Sequence, residues 1–227
     1  MNRYRHEYKY LLSAAQMQLL QLWAAGLLAK DPHADKTGAY LIHSLYFDDL
    51  NDTCLQENLA GTDHRAKFRI RYYNQDTSYL RLEKKSKLRG MTQKEACDLT
   101  EAECRSLMQG QIPPILPDMP PQKHKLLTQL QLGGLIPKVI VSYLRTPLVY
   151  PGGNVRVTFD QNISSSNDIA HFLDGNYPTR PILPPGQCVL EVKWDEVLPR
   201  HIYTGLALDQ LQWSAFSKYC LCRRYHL

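Results

Sequence analysis

The sequence predicts an α+β protein built on an antiparallel sheet, and three observations support this. Strand-like segments dominate, and helices interrupt them without the regular strand-helix-strand rhythm that a parallel sheet requires. Two strand-like segments, residues 67–73 and 78–85, are joined by a connection short enough for a hairpin. Most strand-like segments also alternate charged with apolar residues, so each presents one polar and one apolar face.

In order, a strand is expected over residues 3–12, and Ser13 then caps a helix running to about residue 28. A strand at 42–47 and a helical turn at 50–59 precede the hairpin. Thr100 followed by Glu103 has capping-box spacing and starts a helix to about residue 108. The proline-rich 113–121 stretch is a loop, and a helix follows over 123–132, stopped by Gly133 and Gly134. Strands follow at 138–150, 155–163 and 188–194, with a proline-rich loop at 178–185, and residues 205–225 read as mostly helical.

With 227 residues and no internal repeat, the chain is expected to form one domain over residues 1–227. Its net charge of +5 suits an anionic ligand but lacks the dense basic stripe expected of a nucleic-acid binder. The longest weakly polar stretch, 19–29, is far shorter than the roughly 20 apolar residues of a membrane helix. The first residues carry Arg3, Arg5, Glu7 and Lys9 and do not read as a secretory signal, so a cytoplasmic location is expected. The six cysteines have no CxxC or zinc-like spacing and read as reduced.

The charged strand faces point to function. Residues two apart share a face, which groups Arg5, Glu7 and Lys9; Arg69 and Arg71; Arg81, Glu83 and Lys85. The same rule groups Tyr143 with Arg145; Arg156 with Thr158 and Asp160; Glu191 with Lys193. These faces hold nine cations and four anions, a balance equal to the chain's whole net charge of +5. Two readings stand at this point. The faces are either the solvated exterior of an ordinary sheet or the interior of a closed one. Arginine-rich faces suit the second, because guanidinium groups bind phosphate oxygens in pairs and would repel one another inside a barrel unless an anion filled it. Tyr46, Tyr72 and Tyr143 read as core residues, and no histidine forms a triad-like arrangement.

Seven short segments, in order, resemble the VTC domain, the polyphosphate polymerase domain of the vacuolar transporter chaperone complex within the triphosphate tunnel (CYTH-like) superfamily. They are residues 5–10 (RHEYKY), 44–48 (SLYFD), 67–73 (KFRIRYY), 82–86 (LEKKS), 155–160 (VRVTFD), 190–193 (LEVK) and 216–219 (FSKY). The resemblance implies an antiparallel β-barrel tunnel with flanking helices. Its implied activity is metal-dependent transfer of the ATP γ-phosphate to polyphosphate, of polyphosphate kinase type, releasing ADP. It assigns catalytic roles to Lys9, Arg69, Arg71, Lys85, Arg145, Arg156 and Lys193, and phosphate binding to Lys94, Ser217 and Lys218, while the charged strand faces add Arg5 and Arg81 as phosphate-binding candidates. Glu191 becomes the ligand of Mn²⁺ or Mg²⁺, and Glu7 either joins it on the metal or orients Lys9. Implied partners are ATP with polyphosphate, pyrophosphate or tripolyphosphate; no membrane span is read in the sequence, which leaves a membrane-protein partner for export open. Two departures stand out. Hydrolytic relatives begin with Glu-x-Glu-x-Lys, where this chain has Arg5 in place of the first glutamate, which favours transfer over hydrolysis. Where the family often has a lysine two residues before the Ser-Lys pair, this chain has Ala215. The alternatives are a triphosphatase and a non-catalytic polyphosphate-binding module.

Overall fold

The structure is a computed structural model that describes residues 5–226, so the expected strand's first residues, Arg3 among them, lie outside it. Its elements run β1 (His6–Leu12), α1 (Ala14–Leu27), β2 (Ala29–Lys30), β3 (Tyr40–Asp48), α2 (Thr53–Ala60), β4 (Arg65–Tyr73), β5 (Asp76–Leu88) and β6 (Met91–Leu99). They continue with α3 (Glu101–Met108), α4 (Pro121–Leu132), β7 (Ile136–Tyr150), β8 (Val155–Ser166), β9 (Arg180–Pro181), β10 (Cys188–Trp194), α5 (Arg200–Gly205) and α6 (Lys218–Arg224).

Eight strands form one antiparallel sheet in the order β1-β10-β8-β7-β3-β4-β5-β6, with β2 added to β7 and β9 to β8. The sheet curls until its two ends meet. Just before β1, Arg5 exchanges backbone hydrogen bonds with Thr92 of β6, N to O at 3.0 and 3.1 Å. Joining the edges satisfies donors and acceptors that an open sheet leaves exposed.

Strand alternation then sorts the side chains into an outside and an inside. Outward residues of β3 to β6, such as Phe68, Ile70, Tyr72 and Leu82, pack with Cys104, Leu107, Leu126 and Leu130 of α3 and α4. Outward residues of β1, β8 and β10, such as Val157, Phe159, Leu190 and Val192, pack with α1 and α5. Burial on this scale, at roughly 25 cal/mol per Å² of apolar surface, holds the helices to the barrel. The inward face is divided. Ile42, Val139, Val141 and Val189 meet Leu55 of α2 and Tyr219, Cys220 and Cys222 of α6, filling part of the interior with apolar packing. The rest carries the charges.

Local signals account for most boundaries. Ser13 and Gln16, and Thr100 and Glu103, form the reciprocal capping hydrogen bonds that start α1 and α3. Asp48, fully buried at the end of β3, accepts the backbone N–H groups of Cys54 (2.8 Å) and Leu55 (2.9 Å) and the Tyr219 hydroxyl, tying β3, α2 and α6 together. All six cysteines are free thiols.

Two expectations need correction. Residues 91–99, for which the sequence predicts no element, form β6. The hairpin turn is Arg89-Gly90, both with positive φ (49° and 78°), a two-residue geometry matched to strand twist. Residues 205–225 are not mostly helical. Only α6 is a helix beyond Gly205, because residues 206–217 form turns and an extended segment in which Trp213 bridges Tyr10.

Candidate functional site

The inward charges converge on a chamber of about 80 Å³. Its walls carry eight cations, Lys9, Lys67, Arg69, Arg71, Lys85, Arg145, Lys193 and Lys218, against one carboxylate, Glu191, with Tyr46, Tyr143, Ser217 and Tyr219 between them. Seven of the cations come from strands whose register alternates them inward. Lys218 enters from the first turn of α6, which Ser217 caps by accepting the Cys220 N–H.

The carboxylates in and behind this wall organise the cations. Glu191 is bound at Oε1 by Lys218 (2.8 Å) and Lys9 (3.9 Å), and at Oε2 by Lys193 (2.7 Å) and Arg145 (3.2 Å). Burial alone would raise its pKa, but these four cations outweigh it and hold the carboxyl well below the usual carboxylate range. Glu7 accepts from Lys85 (2.7 Å) and Lys9 (3.1 Å), and the same balance of burial against lysine charge keeps it ionised. Asp160, fully buried, takes a bidentate fork from Arg145 (2.6 and 2.7 Å) and a contact from Lys218 (2.6 Å). Glu83 holds Arg69 (2.6 Å) and Lys94 (2.9 Å). Lys94 therefore approaches the chamber through Glu83 rather than lining it.

Two cations in the chamber have no carboxylate at ion-pair distance among the described residues. Arg71 donates to Ser44 Oγ (3.2 Å) and the Tyr143 hydroxyl (3.0 Å). Lys67 donates to Ser217 Oγ (2.8 Å). Burial pushes the Lys67 ammonium down to about 7, with Lys9, Lys85 and Arg65 adding to the shift and Cys220 opposing it. Burial likewise brings Lys85 to about 8 despite Glu7.

Sequence reasoning missed Lys67, which has the same two-residue spacing as Arg69 and Arg71 and was open to discovery by that alternation. Tyr46 and Tyr143, expected as core, pack in the inner apolar cluster and in addition line the chamber with their hydroxyls on Arg69 (3.0 Å) and Arg71 (3.0 Å), whereas Tyr72 faces the outer core. Neighbouring guanidinium charge, led by Arg69, outweighs the upward push of burial and lowers the Tyr46 pKa.

Three predicted arginines share the inward face but lie outside the chamber wall. Arg5 pairs with Asp195 (2.7 Å), Arg81 with Asp98 (3.1 Å), and Arg156 with Asp31 (2.6 Å) and the Tyr40 hydroxyl (2.8 Å). Among the described residues no group of three or more His, Cys, Asp or Glu side chains is arranged to hold a metal ion. No helix of the described residues is long and apolar enough to cross a membrane.

A wider vestibule of about 240 Å³ adjoins the chamber and shares Lys9, Lys67, Lys85 and Ser217 with it. Together they form a cation-lined passage into the barrel.

Comparison with known proteins bears on the same geometry. The chain matches the family model of the VTC domain over residues 4–226. No curated protein matches it. Among solved structures it is similar to a Hippeastrum protein, a proposed adenylyl cyclase with a dominant triphosphatase activity (15% identity, 100% of this chain and 97% of that one, TM-score 0.55). It is also similar to the PH1819 protein of Pyrococcus horikoshii (11%, 98% and 99%, 0.51) and to a candidate adenylate cyclase from Bacillus halodurans (14%, 90% and 88%, 0.50). At these identities the structures attest the fold, that of the triphosphate tunnel proteins, and the family match adds the lineage: this chain belongs to the VTC domain family.

Proposed function

We propose that the chain is a polyphosphate polymerase that transfers the γ-phosphate of ATP to the end of a polyphosphate chain inside its tunnel, with pyrophosphate or tripolyphosphate as the shortest acceptors. One observation carries this reading: eight cations surround a chamber of about 80 Å³ whose walls hold a single carboxylate, and the three carboxylates behind them, Glu7, Glu83 and Asp160, still leave the cations in excess. Like charges so close are costly in a poorly hydrated space unless an anion of matching charge enters, and a linear phosphate chain presents such charge at regular intervals.

In the transfer, an oxygen of the acceptor's terminal phosphate attacks the γ-phosphorus. The bond from that phosphorus to the β–γ bridging oxygen breaks, and ADP leaves with the electron pair. Such a reaction needs alignment and neutralisation of the equatorial oxygens rather than a protein nucleophile. Arg69, Arg71 and Arg145 supply planar forks for those oxygens, and Lys9, Lys85, Lys193 and Lys218 supply point charges. Ser217 adds a hydroxyl at the neck. Glu83 and Asp160 fix the arginines that they grip. Arg5, Arg81 and Arg156, each held by a carboxylate outside the chamber wall, guide phosphates into or out of the passage.

Mn²⁺ or Mg²⁺ would have to arrive on the substrate, because Glu191 is already engaged by four cations in the protein alone. Glu191, with Glu7, would contribute carboxylate oxygens, and the phosphates and water would complete the shell. When bound, the ion would neutralise charge on the β- and γ-phosphates. A two-metal triphosphatase is less well supported, because Arg5 stands where such enzymes carry a further glutamate and its guanidinium engages Asp195.

The test is incubation of the purified chain with ATP and Mn²⁺, followed by measurement of long polyphosphate, ADP and free phosphate. Polyphosphate with stoichiometric ADP is expected. Free phosphate without chains would establish hydrolysis, and binding without turnover would establish a binding module.

A further inference from the structure

Ser217 and Lys67 form a pair whose chemistry the transfer described above does not use. They meet at the neck where the vestibule opens into the chamber, and each lines both spaces. Lys67 Nζ lies 2.8 Å from Ser217 Oγ, and among the described residues it has no carboxylate at ion-pair distance. Its ammonium instead stands 5.7 Å from the centre of the Tyr219 ring. Burial, with Lys9, Lys85 and Arg65 adding to it, brings Lys67 to about 7, so near neutral pH a large share of the amine is uncharged. An ammonium here can only donate to the hydroxyl, whereas the uncharged amine accepts the hydroxyl proton, and that is how a neighbouring base activates a serine. The serine is also held in place: Ser217 Oγ accepts the Cys220 N–H at 3.2 Å. With that lone pair engaged and the proton directed at Lys67, one lone pair of the oxygen remains for an incoming phosphorus.

We propose that Ser217 is the first phosphoryl acceptor of the tunnel, a self-phosphorylating primer whose hydroxyl is deprotonated by Lys67, so that synthesis starts on the protein itself when no phosphate chain is present. The inference rests on the phosphoryl-transfer reading of the tunnel. Ser217 Oγ attacks the γ-phosphorus of ATP while its proton passes to Lys67 Nζ. The bond from that phosphorus to the β–γ bridging oxygen breaks, and ADP leaves with the electron pair. Lys67, now an ammonium, pairs with the phosphoserine it has helped to form. An oxygen of that phosphoserine then attacks the γ-phosphorus of a second ATP, giving pyrophosphoserine and a second ADP. Later transfers need no base, because a terminal phosphate oxygen is already ionised. A serine hydroxyl is not, which gives an uncharged amine its use in the first step alone.

Incubation of the purified full chain with Mn²⁺ and ATP carrying a radioactive γ-phosphate, without added acceptor, tests this after denaturation and peptide mass spectrometry. Wild type is expected to carry acid-stable label on Ser217 as phosphoserine and pyrophosphoserine. Ser217→Thr should shift the label to phosphothreonine at the same position, and Ser217→Ala should remove it. Lys67→Arg keeps a cation that does not give up its proton, and it should slow labelling at least about tenfold. Ser214→Ala, a second serine of the vestibule wall, should label as wild type does. Melting curves establish that each variant is folded. Acid-labile label on Lys67, label that survives in Ser217→Ala, or an unchanged rate in Lys67→Arg would overturn the primer. If wild type lengthens added tripolyphosphate yet carries no label on Ser217, the primer alone fails. If it consumes no ATP with or without an acceptor, the transfer reading fails with it.

Discussion

At the scale of single residues, the site is a set of cations held apart by a few buried carboxylates, and the two kinds of side chain should respond differently to substitution. Arg69 presents a guanidinium to the chamber while Glu83 fixes it from behind. Arg69→Ala should lower kcat/KM at least about tenfold, since a charge-assisted contact is worth about 1.5 to 3 kcal/mol. Glu83→Gln leaves the cation but loosens its aim, so kcat should fall by a smaller factor with KM changing little. Arg156, already engaged by Asp31 and Tyr40, should lose only a few-fold on replacement by Ala. Steady-state kinetics on the three variants checks the order. Much of this was legible in the sequence, because strand alternation assigned Arg69, Arg71, Glu191 and Lys193 to one face. Alternation cannot report position along the barrel axis, which separates Arg69 in the chamber from Arg81 and Arg156 outside its wall. Nor can it show that Lys218, in a helix remote in sequence, meets Asp160 and Glu191.

At the scale of elements, the helices act as clamps. Gly205 ends α5 against α1, where a Cβ would lie 1.5 Å from the ring of Trp23. Gly205→Ala should destabilise the fold by about 1 to 3 kcal/mol through overpacking, while activity per folded molecule stays near wild type. Thermal melts paired with active-site titration check it. Asp48 joins three elements through hydrogen bonds to otherwise unpaired groups. Asp48→Ala should cost about 1 to 3 kcal/mol, because the helix-start donors of α2 and the Tyr219 hydroxyl lose a buried acceptor. Capped helices and strongly alternating strands could be read from the chain because their signals are local. β6 could not, since its outward face mixes Met91, Gln93 and Glu95 with Cys97 and Leu99 and so lacks a clean period. The overestimate of helix before α6 has the opposite cause: the apolar spacing of residues 206–217 serves packing under the barrel and a bridge to Tyr10.

At the scale of the whole molecule, stability and ligand binding should oppose each other across pH. Glu7, Glu83, Asp160 and Glu191 all titrate below their ordinary values, so they stabilise the fold above about pH 4 and that contribution is lost as acid protonates them. Lys67 and Lys85 are depressed to about 7 and about 8, so between these values and the ordinary lysine range the unfolded chain binds more protons than the folded one. Stability of the free protein should therefore rise from pH 7 to pH 9, and affinity for tripolyphosphate, which needs both lysines charged, should fall over the same interval. Melting curves with and without ligand at the two pH values check both signs. The most direct test is the dissociation constant of tripolyphosphate for wild type and for Arg71→Met, measured by calorimetry with the melting temperature of each free protein. An anion-binding interior predicts that the variant binds at least about tenfold more weakly yet melts no lower than wild type, since a buried cation without a carboxylate partner is removed. Unchanged affinity in a folded Arg71→Met protein would contradict it.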